Sequence, residues 1–338
     1  MTLMQCEAAQ ASQAVREQLL ANADRMERLA ERLRRLAPRA IVTCARGSSD
    51  HAATFARYLI ETRLGVLTAS AAPSVSSVYR ARLDLSGTVL LAISQSGASP
   101  DLIAQVASAR GSGALTVALV NASDSPLERA SEVTIPLCAG TERSVAATKS
   151  YIASLAALVH LIASWSHDAV LAAALREAPR LLELACDLNW SAAVERLATA
   201  SHLYVLGRGL GLAVAQEAAL KLKETCGLHA EAFSTAELQH GPVALVGAGF
   251  PVLLLAQDDA ARASIEALAG QLAQAKVPVL VAGAHAPAAT VLPTLTAHPA
   301  IQPLLLAQCL YGMAGALALA RGLDPDRPPH LRKITETL

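Results

Sequence analysis

No CxxC pair and no Cys/His spacing suited to zinc occurs among the six cysteines, Cys6, Cys44, Cys138, Cys186, Cys226 and Cys309. A zinc ribbon or redox dithiol is therefore excluded, and the thiols read as reduced residues, mostly of the core. HxxxH, HExxH and carboxylates at metal-ligand spacing are equally missing, so neither a metal nor another cofactor is expected. Charge of one sign is not in excess, with 28 basic and 28 acidic residues, and aromatics make up only 3%. No run of Lys/Arg interleaved with aromatics could follow a phosphate backbone, so nucleic acid is not an expected partner. Although 53% of the chain is hydrophobic, each apolar segment reads as broken by charge or glycine short of the ~20 residues that span a bilayer, and no membrane is expected. The opening MTLMQCEAAQASQAVREQLL lacks a basic n-region and an apolar h-region. Without them it is no secretory signal, which points to the cytoplasm.

What is present is an alternation. A length of 338 residues suits about two domains of ~150 residues. Residues 12–36 repeat apolar positions at helical spacing, and from Ala40 strands (AIVTCA, VLTAS, TVLLAIS, LTVALVN, VTIPL) alternate with helices. After a helical stretch over 146–199 with breaks near His167 and Asn189, the pattern restarts with HLYVLGR, a helix over 211–226, then PVLLLAQ, VPVLVAG and an edge strand ATVLPT, and a long helix over 299–321. This order predicts an α/β fold with two doubly wound parallel sheets in tandem. The expected organisation is a leading helix (1–38), a first α/β domain (39–165), linking helices (166–199), a second α/β domain (200–321) and a tail (322–338). Both domains open alike, CARGSSDHAA and LGRGLGLAVAQ, as an internal duplication would.

The first chemical signal is ISQSGASPD. A buried strand runs into three serines and a glycine, then Ser99 and Pro100 open a helix. Free N–H groups at such a helix start, beyond the carboxyl end of a parallel strand, attract anions. Ser94, Gln95, Ser96 and Ser99 add donors and Gly97 allows close approach. A hydrophilic turn with one capping serine is the plain alternative. A second loop in the same setting, Arg46-Gly47-Ser48-Ser49, favours the binding role. With neither GxxxxGK[ST] nor GxGxxG, a single phosphate on a small molecule fits better than a nucleotide. LGRGLGLA has its glycines at 207, 209 and 211, which spells GxGxG rather than a dinucleotide fingerprint.

The second signal is QEAALKLKE. Glu217, Lys221 and Glu224 fall at i, i+4 and i+7, on one helix face. A surface ion-pair ladder has the same spacing, but this helix follows a central apolar strand and precedes the polar run His229-Ala-Glu231 and AELQHGP, with Glu237 and His240. A carboxylate to carry a proton between carbons 1 and 2, and a histidine to open the sugar ring, are what aldose–ketose chemistry requires.

Taken in order, ARGSSDHA, ISQSGASPDL, SVAATKSY and LGRGLGLAVAQEAALKLKETCGLHAEAFSTAELQHGPVAL resemble the sugar isomerase (SIS) domain pair that forms the isomerase half of glucosamine-6-phosphate synthase. The resemblance runs from about Ala40 to the C-terminus. It implies a flavodoxin-like SIS fold and phosphate binding by Ser94, Gln95, Ser96 and Ser99, the last standing where the synthase has threonine. It implies sugar contacts at Ser48 and at the Val145 backbone, whereas Ala147 replaces a serine. By the same resemblance Glu224 is the general base with Glu217 and Lys221 as companions. His240 is the ring-opening residue reaching a neighbouring subunit, and Lys333, in LRKITETL against the family's LAKSVTVE, is a Schiff-base lysine. Arg46 and Gly47 complete the expected substrate loop.

These matches imply a homodimer acting on a phosphorylated amino sugar. Because only a helical segment is read before the pair, a glutaminase activity is not expected, and the expected reaction is that of the stand-alone two-SIS deaminases: glucosamine 6-phosphate to fructose 6-phosphate plus ammonia. An isomerising aminotransferase half, another amino-sugar or fructosamine phosphate isomerase or deglycase, and a non-catalytic phosphosugar sensor are the alternatives.

Overall fold

The computed structural model describes residues 1–333, so the last five positions of the expected tail lie outside the described residues. The chain divides into two compact units. The first comprises Gln13–Glu142, Lys149–Arg176 and the chain from Arg332. Its sheet is built from β1 (Ala40–Cys44), β2 (Thr68–Ser70), β3 (Thr88–Ser94), β4 (Leu115–Val120) and β5 (Val133–Pro136), all parallel in the order β2-β1-β3-β4-β5. Every residue of β3 and β4 is buried. That is why both read as continuous apolar runs rather than alternating ones: helices cover both faces. Leu90, Ala92, Leu102, Val106, Val120 and Leu127 form one such face of core. The helix Ala11–Leu36 turns two amides inward, where Gln18 Nε2 donates to Leu137 O (2.9 Å) and Ala153 O (3.0 Å), and Asn22 Nδ2 to Pro136 O (2.8 Å). Carbonyls at the end of β5 and in the Lys149–Ser166 helix thus gain side-chain partners.

The second unit comprises Met1–Ser12, Arg143–Thr148 and Glu177–Leu331. Its strands are β6 (His202–Gly207), β7 (His229–Ser234), β8 (Val252–Leu255), β9 (Val279–Ala282) and β10 (Thr290–Leu292), also all parallel. Read from the β7 edge, the order is β7-β6-β8-β9-β10, the same permutation as in the first sheet. The correspondence extends to single residues. Helices Ser48–Leu64 and Leu210–Cys226 both have 17 residues; Gly47 (φ 54, ψ −134) precedes one and Gly209 (φ 60, ψ −130) the other, while Gly65 and Gly227 end them in the left-handed conformation. Each of these glycine pairs is 162 positions apart, as are the paired strand residues Cys44↔Ala92 and Leu206↔Leu254. The duplication expected from the two opening motifs is therefore built into backbone geometry.

Two expectations need correction. HAEAFS, read only as a polar run and not among the expected strands, is β7: it lies at the sheet edge with only Ala230 fully buried, so it carries none of the apolar signal of the central strands. The helix Gln302–Ala320 is uncharged over 19 residues and long and apolar enough to cross a membrane, contrary to the expectation that every apolar run is broken sooner. Its glutamines are uncharged and its glycines do not interrupt it. Most of it is buried within the fold, where an all-apolar surface suits a helix enclosed on all sides.

The Leu210–Cys226 helix is held at its C-terminal end by a residue far away in sequence. Arg321 Nε donates to Cys226 O (2.7 Å), and its Nη1 reaches Leu197 O, Ala198 O and Ala200 O at 3.1, 3.0 and 2.7 Å. One guanidinium thereby satisfies carbonyls at the ends of two helices. Arg321→Ala should lower unfolding free energy by about 2–4 kcal/mol in urea titration. Arg321→Lys should recover less than half of that, because an ammonium cannot reproduce the planar fork.

Among the thiols, Cys44, Cys226 and Cys309 are buried while Cys6 and Cys186 are exposed, so the core holds fewer of them than expected. Burial pushes the Cys44 and Cys309 thiols up to about 12. Alkylation at pH 8, followed by mass spectrometry, should mark Cys6 and Cys186 in the native chain and reach Cys44, Cys226 and Cys309 only after denaturant is added.

Candidate functional site

In the first unit β3 delivers Ser94 to the carboxyl edge of the sheet, and the chain must turn before the helix Pro100–Gly111. It does so by spending serine hydroxyls on its own backbone: Ser94 Oγ accepts from Gly97 N (3.0 Å) and Ser96 Oγ from Ala98 N (3.3 Å). Ser99 occupies the N-cap position with extended backbone, yet its hydroxyl makes no capping bond. Proline at the first helical position removes one orphan amide, and two more already have partners in the chain, Leu102 N donating to Asp101 Oδ1 (2.8 Å) and Ile103 N to Ser99 O (3.2 Å). Gly97 has φ +61°, and a Cβ there would stand 2.3 Å from Ser125 Oγ and 2.9 Å from Val120 Cγ2. Leu127 N donates to Gly97 O (3.0 Å), which stitches the loop to the next crossover.

The loop after β1 joins this one through a partner not evident in the sequence. Arg46 Nε and Nη2 lie 2.9 and 2.8 Å from Asp101 Oδ2, and the Asp101 side chain is 1% exposed. Arg46 is therefore committed to tying two loops together, whatever else it meets. Ser48 and Asp50 open the following helix half-buried. Burial pushes the Asp50 carboxyl above its ordinary range, with His51 and Arg46 pulling it back.

In the second unit the helical spacing of Glu217, Lys221 and Glu224 is not a surface ladder. Their side chains are 0%, 1% and 21% exposed. Lys221 Nζ lies 3.7 Å from Glu217 Oε1 and donates to Glu224 Oε2. Tyr311 Oη, from the Gln302–Ala320 helix, donates to Glu217 Oε1 at 3.0 Å. Burying an ammonium is tolerable only with such partners. The arrangement places the one partly exposed carboxylate, Glu224, at the end of a fixed polar chain, as a base for a bound carbon acid must be.

The remaining expected residues fall as follows. His240 is exposed in the turn after the short helix Thr235–Leu238, its N–H donating to Glu237 O (3.0 Å). Gly47 is the left-handed residue before the Ser48–Leu64 helix, and Val145 is half-buried in the Arg143–Thr148 segment, whose start is held by Glu7 accepting from Arg143 N (2.5 Å) and Ser144 N (3.1 Å). Lys333 Nζ lies 3.3 Å from Glu142 Oε2, a buried carboxylate that also accepts from Ser150 N (3.3 Å) and Oγ (2.7 Å). Tyr311, Asp101 and Glu142 were missed as site residues, because each meets its partner across a gap of 55 to 191 residues that no local motif marks. Among the described residues no group of three or more His, Cys, Asp and Glu is placed to hold a metal.

Gly97→Ala adds a methyl in a left-handed turn against Ser125. It should cost about 2–4 kcal/mol by thermal unfolding. Pairing it with Ser125→Gly should restore part of that loss, which a double-mutant cycle would read.

With this geometry in place, comparison with known proteins is informative. A model of the SIS domain matches residues 37–164 and 196–286. Glutamine–fructose-6-phosphate aminotransferase [isomerizing] of Thermotoga maritima is 32% identical over 335 residues, covering 94% of this chain and 52% of that protein. The chain thus spans about half the length of the curated relatives it matches. A solved structure from Silicibacter pomeroyi, provisionally described as a phosphosugar isomerase, is 44% identical with a TM-score of 0.93, covering 96% of this chain and 100% of the other. The C-terminal domain of glucosamine-fructose-6-phosphate aminotransferase from Francisella tularensis is 25% identical with a TM-score of 0.87, covering 97% and 98%. Two matched segments, two parallel five-stranded sheets of one permutation and the similarity to an aminotransferase's isomerase half give one conclusion: the chain belongs to the SIS domain family, with two SIS segments in tandem.

Proposed function

We propose that the chain is a phosphosugar aldose–ketose isomerase working as a deaminase, converting glucosamine 6-phosphate to fructose 6-phosphate and ammonia. The observation that carries this is the buried Glu217–Lys221–Glu224 chain, which ends in a partly exposed carboxylate. The serine loop of the first unit and the isomerase names carried by the relatives support a phosphosugar as the substrate class.

In this proposal Ser94, Gln95, Ser96 and Ser99 bind the 6-phosphate, with Ser48 and the Val145 backbone against the sugar. His240, from a second copy in a homodimer, moves the anomeric proton to open the ring. The Glu224 carboxylate takes the proton from carbon 2, giving an enolamine, and returns it to carbon 1, which leaves an imine at carbon 2. Water adds to that imine and ammonia departs, so the nitrogen leaves as an amine and no electron is gained or lost. In this reading Lys333 engages the open-chain ketose as a Schiff base.

The test is an assay of ammonia and of ketose across phosphorylated hexosamines, with Glu224→Gln as the control. Turnover should fall by a factor on the order of 10²–10⁴ in that variant while binding is largely kept. Ketose formed from an amine-free hexose 6-phosphate, with no ammonia released from any amino sugar, would replace the deaminase by a simple isomerase. Binding with no turnover in the unaltered chain would make it a sensor.

A further inference from the structure

The Gln302–Ala320 helix carries no charged residue, yet it contributes a polar group to the acid–base chain. Tyr311 is wholly buried, and its hydroxyl donates to Glu217 Oε1, the same oxygen that stands 3.7 Å from Lys221 Nζ. One ammonium therefore stands beside two carboxylates, donating to Glu224 Oε2 and standing 3.7 Å from Glu217 Oε1. A carboxylate oxygen out of contact with water needs a donor. The phenol supplies one.

We propose that Tyr311 is a positioning residue: by satisfying Glu217 Oε1 it leaves the Lys221 ammonium directed at Glu224 and so fixes the carboxylate at which the proton moves. Only that last step rests on the isomerase reading. Without the hydroxyl, Glu217 Oε1 loses its phenolic donor while Lys221 Nζ stands within a short swing of it. The ammonium then closes the 3.7 Å gap, and Glu224 loses its bond. The side chains that take part come from two elements packed on each other, the Leu210–Cys226 and Gln302–Ala320 helices.

Tyr311→Phe removes one oxygen and keeps the ring. Carboxyl-carbon NMR on glutamate-labelled protein, with Glu224 assigned through Glu224→Gln, reads the effect without turnover. The Glu224 resonance should move in Tyr311→Phe while those of the exposed Glu195 and Glu237 stay. In the isomerisation assay kcat should fall roughly tenfold to hundredfold with KM changed less than about twofold, as a misplaced but still bound reacting group predicts. An unmoved Glu224 resonance overturns the proposal. So does a joint decline of kcat, KM and thermal midpoint, the mark of a merely structural loss. If no phosphosugar turns over in the unaltered chain but the Glu224 resonance still moves, the isomerase reading falls and the positioning role stands.

Discussion

A lysine with 1% of its side chain exposed, set between two carboxylates of its own helix, is the constraint on which the second unit turns. Removing an ammonium from water costs several kcal/mol even after relaxation, and the cost is met only when the opposing charges are held at hydrogen-bond range. The Leu210–Cys226 helix is in turn held against rolling or sliding by bonds to other elements, and it is fixed along its length. Gln257, itself fully buried, donates to Arg208 O (2.8 Å) at the start; Tyr311 reaches Glu217 in the middle; Arg321 holds Cys226 O at the end. Packing alone would not specify rotation of so apolar a helix. The buried charges do.

The duplication shows what such a cluster replaced. Counting back 162 positions from Glu217, Lys221 and Glu224 gives Phe55, Leu59 and Thr62, of which the first two are fully buried core residues. Counting forward from Ser94, Ser96, Gly97 and Ser99 gives Ala256, Asp258, Asp259 and Ala261. One backbone plan thus carries the hydroxyl-lined turn in its first copy and the charged helix in its second. Hydrophobic residues at the equivalent helix positions in the first copy avoid the desolvation cost and give more robust packing. The second copy gives up that packing for a buried charged cluster, as expected where function opposes stability.

Much of this was open to inspection in the sequence because local geometry enforces it. Strand-ending glycines, Ser99-Pro100 before a helix and the i, i+4, i+7 acidic–basic spacing all report backbone turns and helix faces, which span only a few residues. The strands of both sheets were placed from their apolar runs, except β7, whose edge position lets HAEAFS stay polar. What escaped notice was pairing at a distance. Arg46 meets Asp101 across 55 positions, Glu217 meets Tyr311 across 94 and Glu142 meets Lys333 across 191. Periodicity carries no information about which remote element will bring a partner. A phenol inside QPLLLAQCLYGMAGALALA has no sequence feature that separates it from an ordinary core tyrosine.

The two loops of the first unit and the charged helix of the second share one further design principle. Each is rigid because its polar side chains are spent internally before any ligand arrives: Ser94 and Ser96 on their own turn, Arg46 on Asp101, Lys221 on Glu224. Preorganised donors need not be reordered when an anion or a developing charge appears, and that is the source of their strength in a site of low dielectric. The requirement is a glycine at position 97, in a left-handed turn pressed against Ser125 and Val120, where no side chain could fit. The surrounding structure fixes this turn through Leu127 N on Gly97 O and the buried β3–β4 pair beneath it. The serine turn is thus held from below by the sheet and from the side by the next crossover, and its hydroxyls and amides point where the backbone, rather than their own rotamers, sends them.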